Sequence, residues 1–283
     1  MLKINCDYNL KDDLNFILES EKMNVLELSK KTNISRKTLD EILEGKKTRI
    51  DIYEKFYAYL YKNKYRMNRV KEEFIKEKYH NVLFHGSKKG LSEISIEGAR
   101  KNCDFGKGFY LGENYIQALS FVCETRDSSV YSFRYTLDNL KIKKFQCDME
   151  WMLAICFYRG QLKEYENNSR IYKIIKEIEE SDVVIAPIAD NKMFYIMSQF
   201  TDGEINADVA LHSLSASKLG CQYVFRTEKA LSNLIPVERY YLSNPERDQC
   251  IETLKERSYE IDTKLKLAKR EFRSGLYIEE ILK

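Results

Sequence analysis

The sequence lacks an apolar run long enough to cross a membrane. A spanning helix needs about 20 consecutive apolar residues, and polar or charged residues interrupt every hydrophobic stretch of this 283-residue chain well before that length. The first residues, MLKINCD, also lack the apolar stretch of a secretory signal. We therefore expect a cytoplasmic protein that makes no membrane contact.

Its cysteines lack the spacing of a metal site or a disulfide framework. The seven cysteines are scattered along the chain, with no Cys-x-x-Cys pair and no paired histidines beside them. Seven is also an odd number. This pattern predicts free, reduced thiols and no zinc site.

The chain has no strong excess of one charge, since its net charge is +3. Any affinity for nucleic acid must therefore come from a local patch. A hydrophobic content of 43% over this length is enough to bury a sizeable core in one large domain or two unequal ones. These numbers exclude a disordered tail and a fibre.

The N-terminal third carries the signals of two short helices joined by a tight break. Asn24 and Glu27 have the form of a capping box, Ser35 suits the start of the second helix, and Gly45 suits its end. The pattern resembles the helix-turn-helix of the Cro and phage-repressor class, whose second helix reads DNA. That resemblance assigns DNA contacts to four residues, Ser35, Arg36, Lys37 and Thr38.

Local charge favours DNA binding over the alternative, a helical bundle that touches no DNA. Residues 30–49 contain seven basic and three acidic residues, an excess of +4. A Tyr-rich amphipathic helix follows at residues 51–65, and the segment after it is charged, without a strong apolar stripe. We predict a helix-turn-helix domain over residues 1–65 and a linker helix over residues 66–80.

After residue 80 the hydrophobic period changes. Residues 82–85, 131–137 and 183–188 read as strands, with a final strand at 222–226. Residues 115–122, 149–158 and 207–219 read as helices. The order predicts an α+β domain.

Three strings occur in this second part, LFHGS at 83–87, DFGKGFYL at 104–111 and QYVF at 222–225. In this order they resemble the His-Tyr-Glu motif series of the ADP-ribosyltransferases related to diphtheria toxin and the poly(ADP-ribose) polymerases. In particular they are similar to an uncharacterised bacterial family of that superfamily. The likeness covers residues 82–236 and includes EW at 150–151, IAD at 188–190 and TEKAL at 227–231. It implies a split β-sheet domain, over residues 81–242, that uses NAD+ as cosubstrate.

The resemblance also implies roles for single residues. His85 would hydrogen-bond a ribose hydroxyl, the backbone of Gly86 would clamp the nicotinamide carboxamide, and Ser87 would contact the sugar. Tyr110 would stack on the nicotinamide ring, although an ordinary half-buried strand aromatic is the alternative. Departure of nicotinamide leaves an oxocarbenium-like sugar, as in glycoside cleavage. Two further residues are candidates for cofactor contacts, Arg100 at the pyrophosphate, unless it is plain surface charge, and Asp104.

Gln222 departs from the superfamily pattern, because active polymerases carry a glutamate there. A glutamine keeps the hydrogen bonds but loses the negative charge. Polymer synthesis is therefore not expected. Single transfer, slow hydrolysis and binding of NAD without turnover all remain open. Since the bacterial family itself carries glutamine, we interpret Gln222 as a catalytic variant, acting with His85 and Tyr110. The missing charge has three candidate sources, Asp104, Asp190 and Glu228, for each of which a structural or solvated acid is the alternative.

The C-terminal segment, residues 243–283, predicts an amphipathic helix. Apolar or small residues recur at positions 251, 254, 258, 261, 265, 268 and 272, the seam of a packed or coiled helix. Such a stripe packs within its own chain, here against residues 66–79, or forms a homodimer.

The whole sequence thus predicts an α+β protein, with an all-α helix-turn-helix bundle, an ADP-ribosyltransferase-like split sheet and a C-terminal helix. The expected function is mono-ADP-ribosyl transfer from NAD+ with release of nicotinamide, toxin-like or defence-related, with duplex DNA as a partner. The alternative is a transcriptional regulator that senses NAD or ADP-ribose without turnover. The acceptor macromolecule and the operator cannot be read from the sequence, because acceptor choice depends on loop shape.

Overall fold

The computed structural model describes residues 2–97, 99–189, 191–215 and 220–283. Over these residues the chain is a mixed α/β protein, consistent with the predicted α+β class, with 13 α-helices and a mixed sheet of seven strands. None of the helices described is long and apolar enough to cross a membrane.

The N-terminal part is helical, as predicted. Its elements are β1 (Leu2–Lys3), α1 (Leu10–Ser20), α2 (Val25–Thr32), α3 (Arg36–Leu43), α4 (Ile50–Lys62) and α5 (Met67–Lys78). The capping box is confirmed, because Glu27 N donates to Asn24 Oδ1 and Asn24 N donates to Glu27 Oε2, both at 3.0 Å. Ser35 caps α3 by accepting from Thr38 N at 3.1 Å. Gly45 follows α3 with a φ of 87°, a left-handed conformation that glycine adopts without strain.

The second part is built on the sheet. Its strands are β2 (Val82–Ser87), β3 (Glu93–Ile94), β4 (Phe109–Gly112), β5 (Ser129–Tyr135), β6 (Ile142–Lys144), β7 (Val183–Pro187), β8 (Cys221–Phe225) and β9 (Leu234–Tyr241). The order across the sheet is β6-β7-β8-β4-β2-β5-β9, and only β6 and β7 are parallel neighbours. β1 and β3 form a separate two-stranded ribbon.

The prediction that β8 is the final strand is wrong, because β9 follows it and pairs with β5. Pro236 and the charged pair Glu238 and Arg239 conceal β9 in the sequence. Pro236 lies opposite Phe133 at a register shift, the kind of position where a strand tolerates proline.

Eight helices complete the fold, α6 (Tyr115–Ser120), α7 (Met149–Tyr158), α8 (Ser169–Glu179), α9 (Asn191–Thr201), α10 (Ala207–Ser215), α11 (Glu228–Leu231), α12 (Asn244–Glu271) and α13 (Ile278–Ile281). The predicted helix at 207–219 agrees with α10 up to Ser215, and residues 216–219 lie outside the described residues. The prediction of a single C-terminal helix over residues 243–283 is wrong in its extent, because α12 ends at Glu271 and the short α13 follows.

The two faces of the sheet carry different cores. Residues paired across strands share a face, so Phe84, Gly112, Gln222 and Ala186 form one row. On this side α6 packs behind β2, and α7 and α9 pack behind β7 and β8. The opposite face is covered by β1, β3 and α11. We call the first side the helix face.

α5, predicted as a linker helix, is packed between the N-terminal helices and the sheet. Buried Lys71 bridges Asp13 of α1 and Glu238 of β9, with Nζ–O distances of 2.9 and 2.6 Å. Buried Asn68 donates to Tyr241 O at 2.8 Å and to Glu246 Oε2 at 2.9 Å. The polar sequence of α5 therefore reflects buried, paired polar groups.

α12 packs within its own chain. It contacts α4, α6 and α10. Cys250, near its start, joins the core behind β2, whereas Ile261, Leu265 and Ala268 join the core behind β7 and β8. It also contacts α5 through the hydrogen bond from Asn68 to Glu246.

Candidate functional site

The sheet is split between β2 and β4. β2 pairs with β5 over six residues, but its pairing with β4 is limited to Phe84 opposite Gly112. Tyr135 N donates to Asn81 O, so the backbone groups of Asn81 point toward β5. Along β2 the N–H and C=O groups of successive residues point alternately toward β5 and toward β4. By that alternation the N–H and C=O of Gly86 point away from β5, toward β4. Among the described residues, no strand pairs with Gly86 on that side.

The imidazole of His85 holds this split open. In a continuous ladder Gly86 would pair with Tyr110, but His85 Nδ1 lies 2.8 Å from Tyr110 O. A carbonyl oxygen only accepts, so Nδ1 carries the proton and Nε2 presents a lone pair. Burial lowers the pKa of His85 from 6.5 to about 4, and the positive charge of Arg100 acts in the same direction. The ring is therefore neutral at pH 7 and packs on Phe109 with 4.3 Å between ring centroids.

Gly86 and Ser87 are fixed by contacts within the chain. A Cβ at Gly86 would clash with the carbonyl oxygen of Ala118, so α6 packs against β2 only because this residue is glycine. The Ser87 hydroxyl donates to Gly90 O at 2.5 Å and closes the turn after β2. The hydroxyl predicted to contact a sugar is thus used in the turn.

Tyr110 is anchored to the loop that precedes it. Its hydroxyl donates to Gly106 O at 2.7 Å and accepts from Phe105 N at 3.1 Å. Gly106 has a φ of 72°, and a Cβ there would lie 2.7 Å from the ring of Tyr158. Arg226 also donates to Phe105 O at 2.9 Å. Hydrogen bonds from Tyr110 and Arg226 therefore hold the loop at residues 104–108, and Tyr110 presents a half-buried ring whose hydroxyl is already bonded.

Gln222 is 7% exposed, and its amide orientation is fixed. Nε2 donates to Asp104 Oδ2 at 3.0 Å and to Pro187 O at 3.2 Å. Trp151 Nε1 donates to the same Pro187 oxygen at 3.1 Å, which holds that acceptor in place. Because both neighbours are acceptors, Nε2 must face them. Within the described chain Oε1 accepts no hydrogen bond, so the oxygen is the free end of the amide.

Asp104 lies between Gln222 and Arg159. Its Oδ1 accepts from Arg159 Nε at 2.9 Å and from Nη2 at 2.6 Å, which leaves Oδ2 for Gln222. Of the two candidate acids among the described residues, Asp104 is the one that contacts Gln222. Glu228 is exposed on α11 and accepts from Ile96 N, and Asp190 lies outside the described residues.

The predicted site residues do not all share one face. Alternation directs Tyr110 and Gln222 to the helix face, whereas His85 packs with Phe109, which belongs to the core of the opposite face. His85 meets Tyr110 through the backbone, in the plane of the split. Arg100 is exposed, and its positive charge contributes to the lowered pKa of His85.

A cavity of about 940 Å³ lies on the helix face, between α5, α6 and α12. It is lined by Gln117, which also contacts Gly112 beside Gln222. Phe121, 57% exposed, and Lys88, just after β2, line it as well. His85, Tyr110 and Gln222 are not among its lining residues.

Sequence reasoning missed two groups, the cavity walls and the residues that hold Gln222. The walls of the cavity come from segments far apart in the chain, so no local pattern marks them. Trp151 lies in the first turn of the apolar helix α7, and Arg159 directly follows its last residue. The composition of α7 predicts only a buried core element. Trp151 does occur in the EW string at 150–151, which was the one available signal.

The predicted DNA-binding residues lie at the exposed start of α3. Ser35, Arg36 and Lys37 are exposed, and Thr38 is half-buried. Acidic neighbours offset part of the local positive charge. The exposed ion pairs are Arg36–Asp40 at 3.5 Å, Lys46–Glu44 at 2.9 Å, Lys47–Asp7 at 2.9 Å and Arg49–Asp51 at 2.8 Å. No group of three or more His, Cys, Asp or Glu residues in the described ranges could hold a metal ion.

Comparison with known families places the split in a defined domain. The family described as a protein of unknown function, DUF3990, matches residues 81–235, more than half of the chain. The chain belongs to this family. The DUF3990 domain begins one residue before β2 and ends inside β9, so it contains His85, Tyr110, Gln222 and their supporting residues. The helices α1 to α5 and α12 lie outside it. No curated protein and no solved structure matches the chain.

Proposed function

We propose that the DUF3990 domain binds NAD+ at the split between β2 and β4 and transfers single ADP-ribose units with release of nicotinamide. The observation that carries this proposal is the hydrogen bond from His85 to Tyr110 O, because it leaves the backbone of Gly86 without a partner strand. The order of the three sequence strings, all inside the DUF3990 domain, supports the same function.

The free backbone edge suits a carboxamide. A primary amide presents one carbonyl acceptor and one NH2 donor, the same pair that a neighbouring strand would offer to Gly86. The nicotinamide carboxamide could therefore take the place of the missing ladder contact. Close approach is aided by the absence of a side chain at Gly86.

His85 and Tyr110 would orient the rest of the nucleoside. Nε2 of neutral His85 is an acceptor and suits a ribose hydroxyl. The ring of Tyr110 is held by its two hydroxyl hydrogen bonds, so it can stack on a planar ring without losing further freedom. Arg100, exposed and within electrostatic range of His85, would meet the pyrophosphate.

Gln222 would accept a hydrogen bond from a ribose hydroxyl through Oε1. Cleavage of NAD+ places positive charge on the ribose, and preorganised acceptors stabilise that charge. A neutral amide is a weak base, so it would not activate an acceptor hydroxyl for chain growth. Single transfer fits this site better than polymer synthesis.

We further propose that the N-terminal module binds duplex DNA through the exposed start of α3, in a cytoplasmic protein of toxin or defence type. The runner-up is a regulator that binds NAD or ADP-ribose without turnover. The observation that favours this runner-up is the neutral Gln222 with its buried amide.

The test uses the full chain and NAD+ labelled separately in the nicotinamide and the adenylate. Nicotinamide release and labelled acceptors in whole-cell extract are measured, together with NAD+ binding by calorimetry. His80→Ala, an exposed histidine outside the split, serves as the matched control for His85→Ala. Binding and release that fall in His85→Ala alone support the proposal. Binding without release in any extract favours the regulator, and no binding at all contradicts both.

A further inference from the structure

We infer that Arg159 and Asp104 are positioning residues that make the neutral Gln222 act as a charged acceptor. This inference rests on the proposed function of the split. Asp104 contacts Gln222, and Arg159 contacts Asp104. Both act on Gln222 through its Nε2 and leave its Oε1 free.

The two oxygens of Asp104 have separate partners. Oδ1 takes both guanidinium contacts, at 2.9 and 2.6 Å, and Oδ2 takes the Gln222 amide at 3.0 Å. The Asp104 side chain is 9% exposed and the Arg159 side chain is 31% exposed. The two N–H donors hold Oδ1 at the guanidinium, and the Gln222 amide on Oδ2 completes the orientation of the carboxylate.

That orientation decides which end of the Gln222 amide is bound by Asp104 and which end stays free. An amide can rotate by 180° and exchange its oxygen and nitrogen, which would present a donor instead of an acceptor. With Nε2 turned outward, Oε1 would face Asp104 Oδ2 and Pro187 O, both of which only accept. Asp104 therefore penalises the wrong rotamer by an uncompensated contact between buried oxygens.

Asp104 also supplies negative potential. An N–H that donates to a carboxylate is polarised, and polarisation along the amide increases the electron density on Oε1. Arg159 neutralises the net charge of the pair, but it binds Oδ1, so the negative end of the pair faces Gln222. In a buried site such an oriented pair acts more strongly than it would in water.

The same geometry explains why a glutamate at this position would not improve the site. A carboxylate at position 222 would face two acceptors, Asp104 Oδ2 and Pro187 O, with no hydrogen to donate. Like charges at hydrogen-bond distance cannot both stay ionised, so one proton would be retained and the pair would titrate together. Exchange of the two groups, Asp104→Asn with Gln222→Glu, removes the conflict at position 104, because it restores one donor and one carboxylate there, whereas Pro187 O still faces the new carboxylate.

The experiment measures kcat and KM for nicotinamide release in the full chain. Asp104→Asn keeps the size of the side chain and removes its charge, and we expect kcat to fall about 100-fold while KM changes by less than about threefold. The double variant Asp104→Asn with Gln222→Glu should recover at least about tenfold over Asp104→Asn alone. Arg159→Met should lower kcat about tenfold, and Arg159→Lys should recover part of it, because one ammonium can still bind Oδ1. Arg170→Met, an exposed arginine on α8, is the control.

Two readouts separate positioning from folding. Thermal unfolding should stay cooperative in every variant. The pH profile of kcat should gain a new limb only in the single variant Gln222→Glu, where two carboxyl groups meet. Asp104→Asn with wild-type kcat, or an exchanged pair no better than Asp104→Asn, overturns the inference. Wild-type protein that releases no nicotinamide overturns the proposed function as well, whereas active wild type with unaffected variants overturns the positioning role alone.

Discussion

His85 donates its Nδ1–H to the backbone oxygen of Tyr110 across the gap between β2 and β4, at 2.8 Å. The contact replaces the ladder hydrogen bond that Gly86 would make with that carbonyl. A side chain thus interrupts the sheet at the position where the backbone of Gly86 would otherwise be paired.

His85→Ala should weaken NAD+ binding at least about tenfold, because the variant loses an acceptor and allows β2 to close on β4. Calorimetric titration measures this, with His80→Ala as the control. Binding should also be insensitive to pH between about 5.5 and 8, since burial keeps the pKa of His85 near 4. An affinity that changes as the pH passes through about 6.5, the ordinary pKa of histidine, would contradict the neutral imidazole.

Tyr110→Ala should weaken NAD+ binding and also lower stability. The variant removes a stacking surface, and it removes both hydroxyl contacts that hold Phe105 and Gly106. Tyr110→Phe separates the two effects, because it keeps the ring and loses the hydroxyl. We expect Tyr110→Phe to bind NAD+ within about threefold of wild type while unfolding about 1–3 kcal/mol more easily. Equal affinity in Tyr110→Ala and wild type would remove the ring from the site.

Gly86→Ala should destabilise the fold by about 1–3 kcal/mol, since its Cβ would clash with the Ala118 carbonyl. Chemical denaturation measures the loss. The contact is with backbone, so a second change, Ala118→Gly, should not restore stability. Rescue by that second change would show that the clash is misassigned.

Much of the split could be predicted from the sequence, because its strands are short apolar runs and its caps are local signals. The LFHGS and QYVF strings lie on β2 and β8 and the Asn24 and Ser35 caps form, all as predicted, whereas β4, which carries Tyr110, was not predicted as a strand. The contact between Asp104 and Gln222 joins residues 118 positions apart. No local sequence pattern encodes a contact at that separation. The sequence alone therefore could not decide which of three acids lies beside Gln222.

α5 shows a different limit of sequence reasoning. Polar side chains in a helix normally indicate an exposed surface, but Lys71 and Asn68 are buried and paired with residues from four other elements. A hydrophobic pattern cannot report burial that is stabilised by ion pairs and hydrogen bonds.

The buried carboxyl of Glu246 predicts a pH dependence of stability. Burial raises its pKa from 4.5 to about 7, although hydrogen bonds from Tyr115 and Asn68 favour the ionised form. The folded chain therefore keeps a proton that the unfolded chain releases, and this contribution to stability is lost as pH rises from about 4.5 to 7. His85 acts in the opposite sense between pH 4 and 6.5, because its folded pKa is lowered.

Glu246→Gln isolates the first effect. A glutamine can accept from Asn68 and donate to the Tyr115 hydroxyl, so the packing is kept. Relative to wild type, the variant should gain up to about 3 kcal/mol between pH 5 and 8, measured by denaturant unfolding. A constant difference across that range would show that Glu246 does not titrate there.

Binding of duplex DNA should depend steeply on salt, with phosphate contacts at the start of α3. Arg36→Ala with Lys37→Ala should weaken binding and reduce the slope of log K against log salt by about 2. Arg170→Ala with Lys173→Ala, exposed on α8, is the charge-matched control. Retardation assays on the full chain at several salt concentrations measure the slope. Equal slopes in the two double variants would favour a bundle that does not touch DNA.

The most direct test of the account is release of nicotinamide from NAD+ by wild-type chain and by Gln222→Ala, followed with and without whole-cell extract. Gln222→Ala removes one preorganised polar contact, so the account predicts release by wild type and roughly a 10²-fold lower rate in the variant, with a cooperative unfolding transition in both. Wild-type protein that binds NAD+ but releases no nicotinamide under any of these conditions would contradict the transferase and leave a domain that only senses the dinucleotide.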